Sequence, residues 1–204
     1  MTEDEARQWV GDRFGVSRET LLARLVNEVL DEATRQNLVS PATMVAMWSR
    51  HVVDSAQLLD LARGRRGPWL DIGTGAGFPG LVIACLRDAS IALCELRRRR
   101  AAFLETCVHR LGITDHTTVA ACRVERLTGK RAIISARAVA ALDALFEAAA
   151  AVSDHETLWL LPKGRSAREE VAAARKTWHG SFHVEQSITD PDSHIVVATG
   201  VRRR

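Results

Sequence analysis

The stretch Asp71-Ile72-Gly73-Thr74-Gly75-Ala76-Gly77-Phe78-Pro79-Gly80 constrains this chain more than any other. An apolar run, Trp69 to Ile72, precedes it, and a helical pattern from about Pro79 to Leu86 follows. Glycines let a backbone turn tightly and approach a ligand closely. The helix after such a turn presents unpaired N–H groups and the positive end of its dipole. Pro79 suits a first helical turn, where its missing N–H costs little. A strand, a glycine loop and a helix in that order predict a βα unit with a ligand-binding turn.

The rest of the chain supplies the frame for that unit. Residues 1 to 62 read as helices. Trp9, Val10, Arg13 and Phe14 mark a first one, and Ser17 is the expected N-cap of the second, which carries Leu21, Leu22, Leu25, Val26, Val29, Leu30 and Ala33 at helical spacing. Asn37 to Ser40 connect to a third helix opened by Pro41, with Met44, Val45, Met47 and Trp48, and a further helical stretch runs from Val52 to Leu61. Arg63 to Pro68 break the pattern, so the expected organisation is an N-terminal helical segment, 1–66, packed on a core domain, 67–204. Beyond the break, strands are predicted at Trp69 to Ile72, Ile91 to Glu95, Thr117 to Ala121, Ala132 to Ser135 and Thr157 to Leu161. Helices are predicted at Arg98 to Leu111, Leu142 to Val152 and Ser166 to Trp178. Val184 to Ile188 and Ile195 to Thr199 leave no room for a helix between them and are expected to pair antiparallel. Alternation of strand and helix implies a mainly parallel, doubly wound α/β sheet with helices on both faces.

Two ligands compete for the loop. Gly75 to Gly80 match the dinucleotide pattern G-x-G-x-x-G. Asp71 with Gly73, Gly75 and Gly77 gives D-x-G-x-G-x-G, which resembles the first motif of class I methyltransferases that use S-adenosylmethionine (SAM). Counted from the strand-end glycine, Gly73, the third dinucleotide glycine is missing, because Phe78 stands there. The register therefore favours SAM. Glu95 ends the second strand, where an acid accepts ribose hydroxyls in either case; alternatively it pairs with Arg97 or Arg98. After the third strand, the backbone of Val124 and Glu125 lies where an adenine edge would be read.

Composition adds exclusions. Of 28 cationic side chains only Lys130, Lys163 and Lys176 are lysines, the rest being arginines; the formal net charge is +3. Arginine suits bidentate phosphate contacts, but so small an excess does not by itself indicate nucleic acid, and on composition alone compositional bias is the favoured explanation of the arginines. Arg97 to Arg100 open a helix, where four cations oppose the macrodipole; an external anion such as RNA phosphate is one reason for them, a solvated face another. Cys85, Cys94, Cys107 and Cys122 show no metal or redox spacing and sit in apolar stretches, so the reducing cytoplasm is the expected compartment. The acidic start Met-Thr-Glu-Asp-Glu is not a signal peptide, and no apolar run is long enough to span a membrane.

Several motifs in order resemble one family. Asn37-Leu38, Arg50-His51-Val52-Val53-Asp54-Ser55, Asp71 to Leu81 with its Phe-Pro-Gly extension, Arg123-Val124-Glu125, Ser135-Ala136-Arg137-Ala138 and Leu161-Pro162-Lys163-Gly164 are similar to the motifs of the bacterial small-subunit ribosomal RNA methyltransferase G family, also called glucose-inhibited division protein B. The resemblance runs from about Asn37 to Gly164; the proline before Lys163 departs from the pattern. It implies a class I SAM-dependent methyltransferase fold: a Rossmann-like sheet, mostly parallel with an antiparallel C-terminal strand, plus N-terminal helices. It also implies methylation of guanine N7 in the 530-loop region of 16S rRNA, with the small ribosomal subunit as partner; a monomer and no metal are expected. Implied cofactor contacts are Gly73, Phe78, Val124, Glu125 and Arg137, and the loop adds Asp71, Thr74, Gly75 and Gly77, with Glu95 for the ribose. N7 carries a free lone pair, so no general base is expected. Arg137 is expected to orient cofactor or guanine. His51 either faces the site or is structural, and Lys163 either meets RNA phosphate or covers a strand end. Arg50, Arg97, Arg98 and Arg123 are candidates for RNA. A non-catalytic RNA-binding or assembly module and a small-molecule methyltransferase are the alternatives.

Overall fold

A computed structural model describes all 204 residues. Seven strands, β1 (Trp69–Ile72), β2 (Ile91–Cys94), β3 (Thr117–Ala120), β4 (Ile133–Ala136), β5 (Leu158–Lys163), β6 (Trp178–Gln186) and β7 (His194–Arg203), form one sheet in the order β3-β2-β1-β4-β5-β7-β6. The first five are parallel, and β7 runs antiparallel to both β5 and β6. The central strands are buried along their length because both faces are covered, and are apolar except at Asp71 of β1 and Ser135 of β4. Trp69, Leu93, Ile133 and Leu160 face one apolar cluster, and Leu70, Ile72, Ile134, Trp159 and Leu161 face the other.

The first cluster is shared with the N-terminal helices. Ala6 and Val10 of α1 (Glu3–Phe14) and Leu22, Leu25 and Val29 of α2 (Val16–Ala33) pack in it with Ile83 and Cys85 of α6 (Gly80–Leu86) and Leu104 and Cys107 of α7 (Arg98–Leu111). Short helical pieces, α3 (Pro41–Met44), α4 (Asp54–Ala56) and α5 (Leu58–Leu61), lead from α2 to the sheet. The second cluster lies under α8 (Leu142–Ala148) and α9 (Ala167–Thr177).

The sequence reading needs correction at several boundaries. Ser17 does not cap α2: Gly15, at φ 85°, ends α1 and starts α2 at Val16, so Ser17 lies inside the helix. Trp178 begins β6 instead of ending a helix, because its ring packs against Phe146 at 5.6 Å in the second cluster. The β6 strand is thus longer than Val184 to Ile188, and stops before Ser187. Residues Trp48–Val53, where the third helix was expected to end at Trp48 and a further helical stretch to begin at Val52, form a π-helical turn. The Glu3 carboxylate holds it by accepting from the Trp48 and Ser49 amides (2.8 and 2.9 Å) and the Ser49 hydroxyl (2.7 Å). Such turns are frequent at functional sites. β5 runs on through Pro162 to Lys163; β4 has ended by then, its last partner being Ser135 on Leu160, so only β7 flanks that stretch.

Candidate functional site

In open α/β sheets ligands bind beyond the carboxyl ends of the strands, where the strand order reverses. Here that point lies between β1 and β4, and a cleft of about 770 Å³ opens there. Its walls are the loop after β1, residues 137 to 141 after β4, the end of β5, the π-helical turn, and the connection carrying Leu38 and Val39.

The glycine loop is fixed from behind. Asp71 is fully buried; its Oδ1 accepts from the Ser135 hydroxyl at 2.6 Å and its Oδ2 from the Gly80 amide at 3.1 Å. Ser135 in turn accepts from Trp69 Nε1 at 2.9 Å. Burial pushes the Asp71 carboxyl up to about 6, with the Ser135, Thr74 and Gly80 hydrogen bonds and the Arg137 charge opposing. Glu95 is buried too: Oε2 accepts from the Gly75 amide at 3.0 Å and Oε1 from the Arg97 amide at 2.7 Å. It therefore ties the loop to the start of α7 and places a negative charge at that helix N-terminus. At the front, Gly73 holds φ 67°, and a Cβ there would meet Val139 Cγ2 at 2.5 Å. A Cβ on Gly80 would meet Leu93 at 2.5 Å and the Asp71 carboxylate at 2.7 Å, so both positions require glycine.

Against Phe78 of the loop, His51 and Arg137 complete one cluster. The His51 and Phe78 rings stack at 4.9 Å, and the Arg137 guanidinium lies 5.6 Å from the Phe78 centroid. Arg137 Nη2 meets His51 Nδ1 at 2.9 Å; since a guanidinium only donates, Nδ1 accepts and the proton sits on Nε2. That buried Nε2 has no protein partner. Desolvation, then the Arg137 and Arg50 charges, push His51 down to about 3, so the ring is neutral at physiological pH. Arg137 also donates to the Arg50 carbonyl (3.3 Å) and Asp54 Oδ2 (3.4 Å); desolvation lowers its pKa, with Asp54 opposing. Lys163 donates to the Ala140 carbonyl at 2.7 Å and pairs with Glu170 at 2.8 Å.

The cleft brings together Gly73, Thr74, Gly75, Phe78, Arg137, His51, Lys163 and Arg50. Asp71 and Glu95 stand behind the loop as its anchors, and Gly77 packs on Leu81. Val124 (buried) and Glu125 (exposed) sit on a short helical turn after β3, outside the cleft wall. Arg97, Arg98 and Arg123 are exposed and also outside it, while Arg50 is ion-paired to Asp190. Half of the arginine run has an internal purpose that the sequence did not show: Arg99 and Arg100 donate to the Arg35 and Asn37 carbonyls at 2.7 and 2.9 Å, fastening the connection that follows α2 to the start of α7. Arg100 also lines the cleft, as do Asp54 and Thr189. Asp54 stood in a motif but was not singled out; Thr189 carried no signal.

The sheet order, the glycine loop at the switch point and the buried acid just after β2 define a class I SAM-dependent methyltransferase. Solved structures of this class share the fold. An O-methyltransferase from Bacillus cereus in complex with S-adenosylhomocysteine gives a TM-score of 0.60 at 16% identity, over 96% of this chain and 97% of that one. The glycopeptide N-methyltransferase MtfA complexed with S-adenosylhomocysteine gives 0.59 at 12%, over 79% and 98%. The rRNA small subunit methyltransferase G (GidB) family model matches residues 18–196. The ribosomal RNA small subunit methyltransferase G of Rhizorhabdus wittichii is 48% identical over 208 residues, covering 100% of this chain and 95% of that protein. The protein of the same name from Zymomonas mobilis is 42% identical over 212 residues, covering 98% and 95%. The chain belongs to the rRNA small subunit methyltransferase G family.

Proposed function

We propose that the chain transfers a methyl group from SAM to N7 of a guanine in the 530-loop region of 16S rRNA, acting on the small ribosomal subunit in the cytoplasm. The observation that carries the chemistry is that every proton acceptor lining the cleft is committed. Asp54 is bonded to Arg137, Glu170 is paired with Lys163, and His51, pushed down to about 3, already accepts from Arg137. An amine or hydroxyl acceptor needs a base to take its proton; guanine N7 has a lone pair and needs none. SAM, when bound, supplies a methyl on a sulfonium that leaves as a neutral thioether.

The residues fit that cofactor. The cleft volume lies within the range of small-molecule sites, about 300–1,000 Å³. Gly73, Thr74, Gly75 and Phe78 form the cradle, and the Ala76 amide has no protein partner and is free to donate. Glu95 retains lone pairs beyond its two backbone bonds and would take the ribose hydroxyls. Val124 and Glu125 would read the adenine. Arg137 orients cofactor or base, and Phe78 with His51 offers a flat surface for a splayed-out guanine. Arg50, Lys163, Arg97, Arg98 and Arg123 would meet phosphates. Catalysis then rests on alignment, which supplies about 7–11 kcal/mol in favourable cases.

The test is tritiated-methyl transfer from SAM to small subunits of cells lacking the corresponding enzyme, with the product nucleoside mapped. 7-Methylguanosine in the 530 loop is expected, and its absence with Gly73→Asp. Another nucleoside, or methyl transfer only to small molecules, overturns the reading.

A further inference from the structure

One polar knot at the rim of the cleft is larger than fastening a loop requires. Asp54 Oδ1 accepts from Gln57 Nε2 (3.0 Å), the Ser187 hydroxyl (3.1 Å) and the Thr189 hydroxyl (3.2 Å). Gln57 is itself buried; it donates to Ser187 at 2.9 Å and accepts from the Ile188 amide at 3.1 Å. Three donors on one oxygen fix the carboxylate's rotation. The other oxygen, Oδ2, is thereby turned to Arg137 Nη1 at 3.4 Å. Asp54 is the only carboxylate that Arg137 touches; its remaining acceptors are the Arg50 carbonyl and the His51 ring.

We propose that Asp54 is a positioning residue for methyl transfer: gripped by the β6–β7 loop and Gln57, it aims the Arg137 guanidinium over Phe78 and onto His51 Nδ1. A guanidinium removed from water needs a counter-charge to stay in place. Without Asp54 it would turn toward solvent and leave the stacked pair unsupported. The β6–β7 loop thus acts on the reacting centre through two residues. This rests on the methyl-transfer reading of the cleft.

A double-mutant cycle tests it. Asp54→Asn keeps an amide oxygen for Ser187 and Thr189 but turns an NH₂ toward the guanidinium. Wild type, Asp54→Asn, Arg137→Ala and the double variant are compared in single-turnover methyl transfer to small subunits, in SAM affinity by calorimetry and in melting temperature. The ¹⁵N shift of His51 Nδ1 is read in wild type and Asp54→Asn. Expected is a rate loss of between about tenfold and a hundredfold in Asp54→Asn, the scale of a small misplacement at a reacting centre. The double variant should be no slower than Arg137→Ala, and the Nδ1 shift should move as its donor leaves. Losses that multiply in the double variant, or a wild-type rate with an unmoved Nδ1 shift, overturn the proposal. Should Asp54→Asn not fold, Ser187→Ala/Thr189→Val takes its place in the cycle, with a smaller loss that must likewise vanish on the Arg137→Ala background. If wild type methylates no rRNA while Nδ1 still moves, the functional reading fails and the positioning stands.

Discussion

Replacing Ser135 by alanine removes the keystone behind the glycine loop. The hydroxyl is fully buried, donates to Asp71 and accepts from the Trp69 indole. Its loss leaves the indole N–H unpaired and takes one hydrogen bond from a buried carboxylate. At about 1–3 kcal/mol for each orphaned group, the loss is roughly 3 kcal/mol when Asp71 is ionised. For a chain of this length that is a fall in Tm of about 6–12 °C. The pH dependence is the sharper part. Asp71 stands at about 6 in the fold against 3.8 for the free group. A raised folded pKa means that the stabilisation from the neutral form is fully present below 3.8 and is lost as pH rises through 6. The whole swing is about 3 kcal/mol at about 1.36 kcal/mol per unit. Without Ser135 the folded pKa moves higher still, so the alanine variant takes up its proton at a higher pH than wild type. The penalty is therefore largest near about pH 8, where both proteins carry the charge, and smaller near about pH 4.5, where neither does. Chemical unfolding of both proteins at these two values, with SAM affinity alongside, measures it; other titrating groups contribute equally and cancel in the difference. A penalty that is the same at both pH values, or below about 1 kcal/mol at the higher one, refutes the account of the loop as hung on an ionised, Ser135-held Asp71.

Three further outcomes are expected. Glu3→Ala should destabilise by about 1–2 kcal/mol, as loss of a helix cap does, and should raise amide hydrogen exchange at Trp48 and Ser49, which lie far along the chain; unchanged exchange there would contradict the capping. His51, down to about 3 in the fold against 6.5 free, contributes stability above 6.5 that is lost progressively as pH falls toward 3, about 2 kcal/mol by about pH 5; its ring resonances should not titrate between about pH 8 and 5, and a midpoint near the free value would sink the assignment. Arg97→Ala/Arg98→Ala should leave SAM binding unchanged while weakening small-subunit binding and lowering its salt slope by about one to two units; an unchanged slope removes these two from the RNA surface.

The βα alternation and the antiparallel pair were legible because strand and helix periods are local, and because parallel strands buried on both faces, as β1, β2, β4 and β5 are, read as short apolar runs. The misplaced boundaries share one cause. Gly15 sets the α1–α2 break through its backbone, while Ser17 only has the right side chain for a cap it does not make. Trp178 continues the helical pattern of α9, yet its ring is claimed by Phe146 across the second core. The π-helical turn is held from outside by Glu3, which no window around Trp48 contains.

The site divides along the same line. Gly73, Gly75 and Arg137 could be placed at the cleft because each obeys a constraint carried by its own neighbours, a turn or a strand end, whereas Phe78 was singled out only by the family resemblance. Glu95 was legible as a strand-end acid, but its bonds to the Gly75 and Arg97 amides answer the question posed by the arginine run. Four cations at a helix N-terminus looked unfavourable because the sequence hides where their partners lie. A buried carboxylate touches that N-terminus directly, and Arg99 and Arg100 reach away from it to carbonyls of the connection after α2. What remains unbalanced is the pair Arg97 and Arg98, exposed beside the cleft's anchoring acid. The electrostatic case for RNA therefore rests on these two side chains, on Arg123 and on those in the cleft wall, not on the composition of the whole chain.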